Sequence, residues 1–272
     1  MIFVRDKSQM CNNLLQFAHV YAWAREHGRS VMSMRFSYKY PFFNISHSRF
    51  VSFPLYLFAK YMAALKLLPT ASFKHAECDP VALEQQMLRH KNIVVSGWYV
   101  RYYDLFLKYR EEICRLFTIA PQYTEPVRQK MSQWDGIRLG VHIRRGDYAV
   151  WKGGMYCYSN EKYADFIRQF ALLKPEGQID VFLSTNDSSV SEESFRTLIP
   201  DERIRIHLLA GNAVEDLFML SECDYIIGPP STYSLVASMY KDIPLCRMDA
   251  VSDGKMQMSD FRLFDYWFRR IL

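Results

Sequence analysis

From residue 136 onward the chain alternates short apolar runs with amphipathic stretches, an order that few folds accept. GIRLGVHIRR (136–145), DVFLST (180–185), 203–209, DYIIG (224–228) and IPLCRM (243–248) read as strands. Between them, SNEKYADFIRQFALL (159–173), SSVSEESFRTLI (188–199), AVEDLFMLSEC (213–223) and SLVASMY (234–240) carry apolar residues at helical spacing, and Ser159 is a ready N-cap. The strand runs are apolar on both faces, so helices must cover both. This predicts a parallel, doubly wound α/β sheet. The opening repeats the pattern: a strand over residues 1–4, a polar loop from Arg5 to Met10, a helix over 12–28 with Gly28 as C-cap, and a strand over 31–36. Residues 40–125 are aromatic-rich and lack clean periodicity; only a strand (92–100) and a helix (104–117) stand out. Pro121 and Pro126 bracket a boundary, so the expected domains are 1–125 and 126–272.

The 272 residues suffice for two such units, and half are hydrophobic, which excludes disorder as the default. A net charge of +5 suits a small anionic ligand or a headgroup surface and is too weak to argue for nucleic acid. The six cysteines form no CxxC pair and no Cys/His metal spacing, so reduced thiols in a cytoplasmic protein are expected. The start has no apolar core of secretory length, and no eighteen-residue apolar run predicts a transmembrane helix. Residues 50–67 come closest, but Lys60 and Lys66 interrupt them; they read as a buried or amphipathic helix, with peripheral membrane contact as an open alternative.

Doubly wound sheets bind ligands beyond the carboxyl ends of their strands. Three segments end there: HIRRGDY, STND and GPPSTYS. Arg144 and Arg145 are adjacent, so a strand would point them to opposite faces. A turn at Gly146 lets one reach a ligand while the other pairs internally, and a guanidinium fork matches phosphate oxygens. The alternative is an arginine paired with Asp147 that only holds the loop. Pro229 to Ser234 lie between a strand and a helix, where backbone N–H groups and three hydroxyls suit a phosphate, unless Ser231 or Ser234 simply caps the helix. GxxxxGK[ST], GxGxxG and D-x-D are all absent, which argues against P-loop, ordinary dinucleotide and D-x-D metal sites.

HIRRGDY resembles the HxRRGDY signature of glycosyltransferase family 11, the bacterial-type α-1,2-fucosyltransferases, and more broadly the GDP-fucose-dependent superfamily that includes nodulation and core α-1,6-fucosyltransferases. MIFVRDKSQMCNNLLQFAHVYAWA resembles the family's opening strand, loop and helix, with Asn12, Asn13, Gln16, Phe17 and Ala18 in register. FLSTND and EDLFMLSECDYIIGPPSTYS resemble two further segments. The resemblance implies a GT-B architecture of two Rossmann-like domains facing a cleft, with the donor in the C-terminal domain and the acceptor beside the N-terminal one. It implies inverting, metal-independent transfer, with no cofactor beyond GDP-fucose as donor substrate. His142 and Asp187, with Asn186 beside them, would lie near guanine and ribose. Arg144 or Arg145 would meet the diphosphate, aided by Ser231, Thr232 and Ser234; Asn12 and Gln16 join the candidate donor-binding residues. The chain departs from the family in Ser8, Gln9 and Cys11, where glycines are usual, and in PPSTYSLVAS, where NSSFSWW is usual.

The implied reaction moves a sugar, expected to be L-fucose, onto a hydroxyl, expected to be on a galactoside, of a surface glycan or oligosaccharide. From Tyr148 to Asn160 no carboxylate occurs, so Asp147 is the nearest candidate base, and we favour it as an orienter of arginine. Trp151, Tyr156 and Tyr158 could stack on a sugar or merely pack. A different nucleotide-sugar donor, or a non-catalytic nucleotide-sugar or glycan binder, stays open.

Overall fold

The computed structural model describes residues 1–5, 8–33 and 36–271. They form two compact units, Met1–Ala120 and Pro121–Leu272.

Unit 1 contains β1 (Ile2–Arg5), α1 (Met10–Glu26), β2 (Val31–Ser33), α2 (Phe36–Lys39), α3 (Phe53–Ala64), β3 (Thr70–Ser72), α4 (Pro80–Arg89), β4 (Ile93–Ser96), α5 (Tyr103–Lys108) and α6 (Arg110–Leu116). Its strands are parallel in the order β2-β1-β4-β3, with Ile2 opposite both Val31 and Ile93. The strand expected over 31–36 is described to Ser33; residues 34 and 35 lie outside the described part, as do residues 6 and 7 of the opening loop. β4 is shorter than expected because Gly97 turns the chain at φ 115°, and a Cβ there would sit 2.1 Å from the Phe73 carbonyl oxygen. The helix expected over 104–117 is two helices, α5 and α6, meeting at Tyr109. α1 is buried along almost its whole circumference, from Leu14 to Ala24, which accounts for its broad apolar run.

Unit 2 contains α7 (Pro121–Met131), β5 (Ile137–Ile143), α8 (Asn160–Leu173), β6 (Ile179–Thr185), α9 (Glu192–Leu198), β7 (Ile204–His207), α10 (Ala213–Ser221), β8 (Tyr225–Gly228), α11 (Thr232–Lys241), β9 (Leu245–Arg247), β10 (Phe261–Arg262) and α12 (Phe264–Phe268). α7 runs through Pro126 and packs on α10, and this unit includes it from Pro121. The order is β10-β9-β8-β5-β6-β7, parallel except for β10. The winding direction therefore reverses between β5 and β8, the point where such sheets open a crevice at their carboxyl ends.

Alternation along β5 sorts its side chains. Leu139, Val141 and Ile143 enter the core with Phe166, Ile167 and Phe170 of α8. Gly140 faces α10, where an added Cβ would stand 2.7 Å from the Leu220 side chain. The even-numbered residues of β5 therefore look toward α10 and α11, and the odd-numbered ones toward α8.

Candidate functional site at the β5–β8 crossover

His142 follows this register onto the α10 and α11 face. It is 4% exposed, its ring lies 4.9 Å from that of Tyr233, and among the described residues its Nδ1 has no hydrogen-bond partner. Burial, then the nearby Arg144 charge, push its pKa down to about 3, so it is neutral at physiological pH. Gly228, at the end of β8, lies against it: a Cβ there would be 3.1 Å from the His142 Cβ. A buried imidazole nitrogen without a partner costs desolvation free energy unless something occupies it.

The two arginines diverge as alternation requires. Arg145 turns to the α8 side and is tied to its own chain through two side-chain partners. Its guanidinium donates to Asp187 Oδ2 at 2.8 Å and to Asn160 Oδ1. Its backbone exchanges hydrogen bonds with the Asn186 amide, at 2.8 and 3.1 Å. The other oxygen of Asp187 accepts from the backbone N–H and hydroxyl of Ser189, at 2.9 and 2.8 Å. These N–H and hydroxyl donors at Ser189, together with Arg145, hold the Asp187 pKa down at about 2. Arg145, Asn186 and Asp187 thus form an anchor that ties the end of β5 to the end of β6.

Arg144 stands on the His142 side. Its side-chain partner is Asp147, at 2.7 Å, and that carboxylate is half exposed. Its guanidinium also lies 5.6 Å from the centre of the Tyr148 ring. Gly146, at φ 67°, makes the turn that brings Asp147 back onto Arg144. Tyr148 then crosses to the neighbouring loop and donates to the Pro230 carbonyl at 2.8 Å. That loop opens α11. Ser231 caps it by accepting from the Tyr233 N–H at 3.2 Å, and Thr232 is its first residue. Ser234 is fully buried and donates back to the Ser231 carbonyl, so its hydroxyl braces the turn. The N-terminal end of α11, with its partial positive charge, therefore sits at the end of β8, across the crossover from Arg144.

One group escaped the sequence reading. Ser184 is the β6 register partner of His142 and donates at 3.0 Å to Asp216 Oδ2 on the first turn of α10. Burial raises the Asp216 pKa to about 6, against the opposing bond from Ser184. A recess lined by Pro126, Leu209, Ala210, Gly211 and Asp216 opens beside it. In the sequence Asp216 reads as an ordinary acid at a helix start; its position three residues into the helix after the β7 loop was the available signal.

The remaining candidates are placed as follows. Asn12 and Gln16 lie on α1 of unit 1: Asn12 donates to the Ser8 hydroxyl at 2.9 Å, and buried Gln16 donates to the Asn12 carbonyl at 3.2 Å. Ser8 itself has φ 86°, a left-handed value natural for glycine and strained for serine. Trp151 packs between Tyr148 and Tyr156, at ring separations of 4.8 and 5.3 Å, with Lys152 over Trp151 and Tyr156; Tyr158 packs edge-on against Tyr163. Among the described residues no group of three or more His, Cys, Asp or Glu is placed to hold a metal ion. Among them also, no helix is long and apolar enough to cross a membrane.

No protein-family model and no curated protein sequence matches the chain. Solved structures do. A mutant of Arabidopsis thaliana FUT1 in complex with GDP aligns with a TM-score of 0.67 and 13% identity, covering 96% of this chain and 73% of that one. NodZ, an α-1,6-fucosyltransferase, soaked with GDP-fucose aligns at 0.57 and 13%, covering 92% and 95%; the NodZ fucosyltransferase is from Bradyrhizobium. POFUT1 in complex with GDP aligns at 0.58 and 12%, covering 89% and 94%. At these identities the shared property is the fold: two Rossmann-like α/β units, the GT-B class that the motif resemblance implied.

Proposed function

We propose that the chain is a GDP-fucose-dependent glycosyltransferase, a divergent relative of family 11. In this reading it moves L-fucose, with inversion and without a metal, onto a hydroxyl of a glycan acceptor, a galactoside by resemblance. The observation that carries the reading is the division of labour between the two arginines. Arg145 is tied to the side chains of Asp187 and Asn160, whereas Arg144 pairs with a half-exposed carboxylate, lies beside the Tyr148 ring and stands opposite a helix N-terminus. Those two positive ends are what a diphosphate leaving group requires.

Each part then has a task. Arg144 and the start of α11, with Ser231 and Thr232, take the charge that develops on the diphosphate as the glycosidic bond breaks. His142 Nδ1, buried and neutral, accepts a hydrogen bond from the nucleoside. Asp216 offers two acceptor oxygens, the complement of the adjacent ring N–H and amino group of guanine. Asp147 orients Arg144 and is released when phosphate replaces it. Asn12 and Gln16 remain candidates through resemblance, and unit 1 is proposed to serve the acceptor. The half-saturated, exposed Asp147 is the nearest carboxylate for proton removal, and its grip on Arg144 favours the orienting role.

Titration calorimetry in EDTA with GDP, UDP, CDP and GDP-fucose tests the reading. GDP and GDP-fucose should bind selectively, and Arg144→Ala should weaken GDP by about 2 kcal/mol, roughly 30-fold, with an unchanged melting temperature. Preference for UDP or CDP would keep the fold and overturn the fucosyl donor. GDP binding with no turnover on any galactoside would favour the non-catalytic binder.

A further inference from the structure

The strongest unassigned surface is on α3. One side of this helix is built into unit 1: Ala59 is fully buried, and Tyr56, Met62 and Ala63 pack with it against Phe3, Met32, Leu68 and Val94. The opposite side is also apolar. Phe53, Phe58, Tyr61 and Leu65 are 60, 52, 60 and 67% exposed, and Leu67, just beyond the helix, is 64% exposed. Phe58, Tyr61 and the capping residue Leu65 follow spacings of three and four and so form one outward stripe, with Phe53 exposed at the start of the helix. A helix that is apolar on both sides, with only one side covered, presents a face that water does not favour.

Charge supplies the second observation. Between Glu26 and Glu77 the chain has no Asp or Glu, yet it has seven Lys and Arg. The whole chain carries +5, so everything outside this stretch is net −2. Arg49, Lys60, Lys66 and Lys74 are exposed, and Lys60 reaches over the rings of Tyr56 and Tyr61, at 6.0 and 5.7 Å. Exposed aromatics and leucines with lysines and no acids match the chemistry of a headgroup region, where apolar side chains enter the acyl boundary and ammonium groups meet anionic phosphates.

We propose that the outer face of α3 docks unit 1 onto an anionic lipid bilayer surface. α3 lies in the interface plane, with Phe53, Phe58, Tyr61 and Leu65 inserted and Lys60 and Lys66 at headgroup level. This stands apart from the proposed transfer reaction, because none of these residues belongs to the β5–β8 site.

The test is flotation of the 272-residue chain with two vesicle preparations, phosphatidylcholine alone and phosphatidylcholine with phosphatidylglycerol. Binding should occur to the anionic vesicles and weaken as salt is raised. The double variant Phe58→Glu/Tyr61→Glu should bind about tenfold or more weakly, with its melting temperature and GDP affinity unchanged. Because both positions are exposed, misfolding would register in the melting temperature; Lys60→Glu/Lys66→Glu is the second variant and should lose binding in the same direction. Wild-type chain that ignores anionic vesicles, or variants that bind them as well as wild type, would overturn the proposal. So would sedimentation showing a wild-type dimer that the Phe58→Glu/Tyr61→Glu change dissociates, since a second copy would then cover the face.

Discussion

The sheet of unit 2 carries arginine–carboxylate clusters at both ends, and they differ in one respect. At the amino end, Asp180 on β6 is fully buried. Its Oδ1 meets Arg205 Nε at 2.7 Å and His207 Nε2 at 2.8 Å, and its Oδ2 meets Arg205 Nη2 at 2.7 Å and the Gly136 N–H at 2.9 Å. Burial pushes the Asp180 pKa up, but the bonds from Arg205 and His207 outweigh it and leave it below the ordinary value. At the carboxyl end, Asp187 is equally saturated by Arg145 and Ser189, but Arg144 and Asp147 are not: each keeps donor or acceptor capacity facing outward. Saturation marks scaffold. Spare capacity beside a buried imidazole nitrogen that has no partner among the described residues is what the proposed donor site rests on.

Removing a saturated buried carboxylate should have the largest effect. Asp180→Ala leaves His207 and the Gly136 N–H without their acceptor and Arg205 with Asp135 alone, and chemical denaturation should show a loss of about 3 kcal/mol. Arg145→Ala should remove about 2 kcal/mol by the same measurement and weaken GDP binding as well, because the β5 loop loses its tie to β6. If Arg145→Ala were as stable as wild type, the two arginines would not be divided into anchor and ligand. His142 adds a pH signature. Its pKa is depressed in the fold, so it stays neutral while the unfolded chain takes up a proton below about 6.5. Its contribution is therefore complete above that pH and is lost as pH falls toward about 3. Between pH 6.5 and 5, wild type should lose about 1.5 kcal/mol more stability than His142→Gln. Asp147→Asn should change stability by less than about 0.5 kcal/mol, as exposed pairs do, and should leave GDP binding equal or tighter in calorimetry. Much weaker binding in that variant would mean Asp147 holds Arg144 in place for the ligand, not away from it.

Much of unit 2 was legible because its strands are apolar on both faces and separated by capped helices; Ser159 and Ser191 both accept from their helix N–H groups. The position of the arginines at a strand end followed from the same pattern. Their roles did not: alternation says that Arg144 and Arg145 diverge, and only the partners Asn160, Asn186 and Asp187, fifteen and more residues away, decide which one is consumed. Asp216 was hidden because its meaning comes from Ser184 on another element. In unit 1, β3 has three residues and α3 is apolar on both sides, so neither a two-residue nor a clean helical period could emerge. A pattern-based reading also takes 104–117 as one helix, since both halves present apolar residues at compatible spacing across Tyr109.

Both sheets place their first strand in the middle. Ile2 of β1 finds Ile93, and Leu139 of β5 finds Tyr225, only after most of the respective unit has been synthesised. Each central strand therefore waits on the ribosome with the backbone N–H and C=O groups of one edge unpaired, and closure of a long loop precedes any gain from that pairing. The chain should fold slowly for its size, with its vulnerability to self-association concentrated in the interval before β4 and β8 arrive.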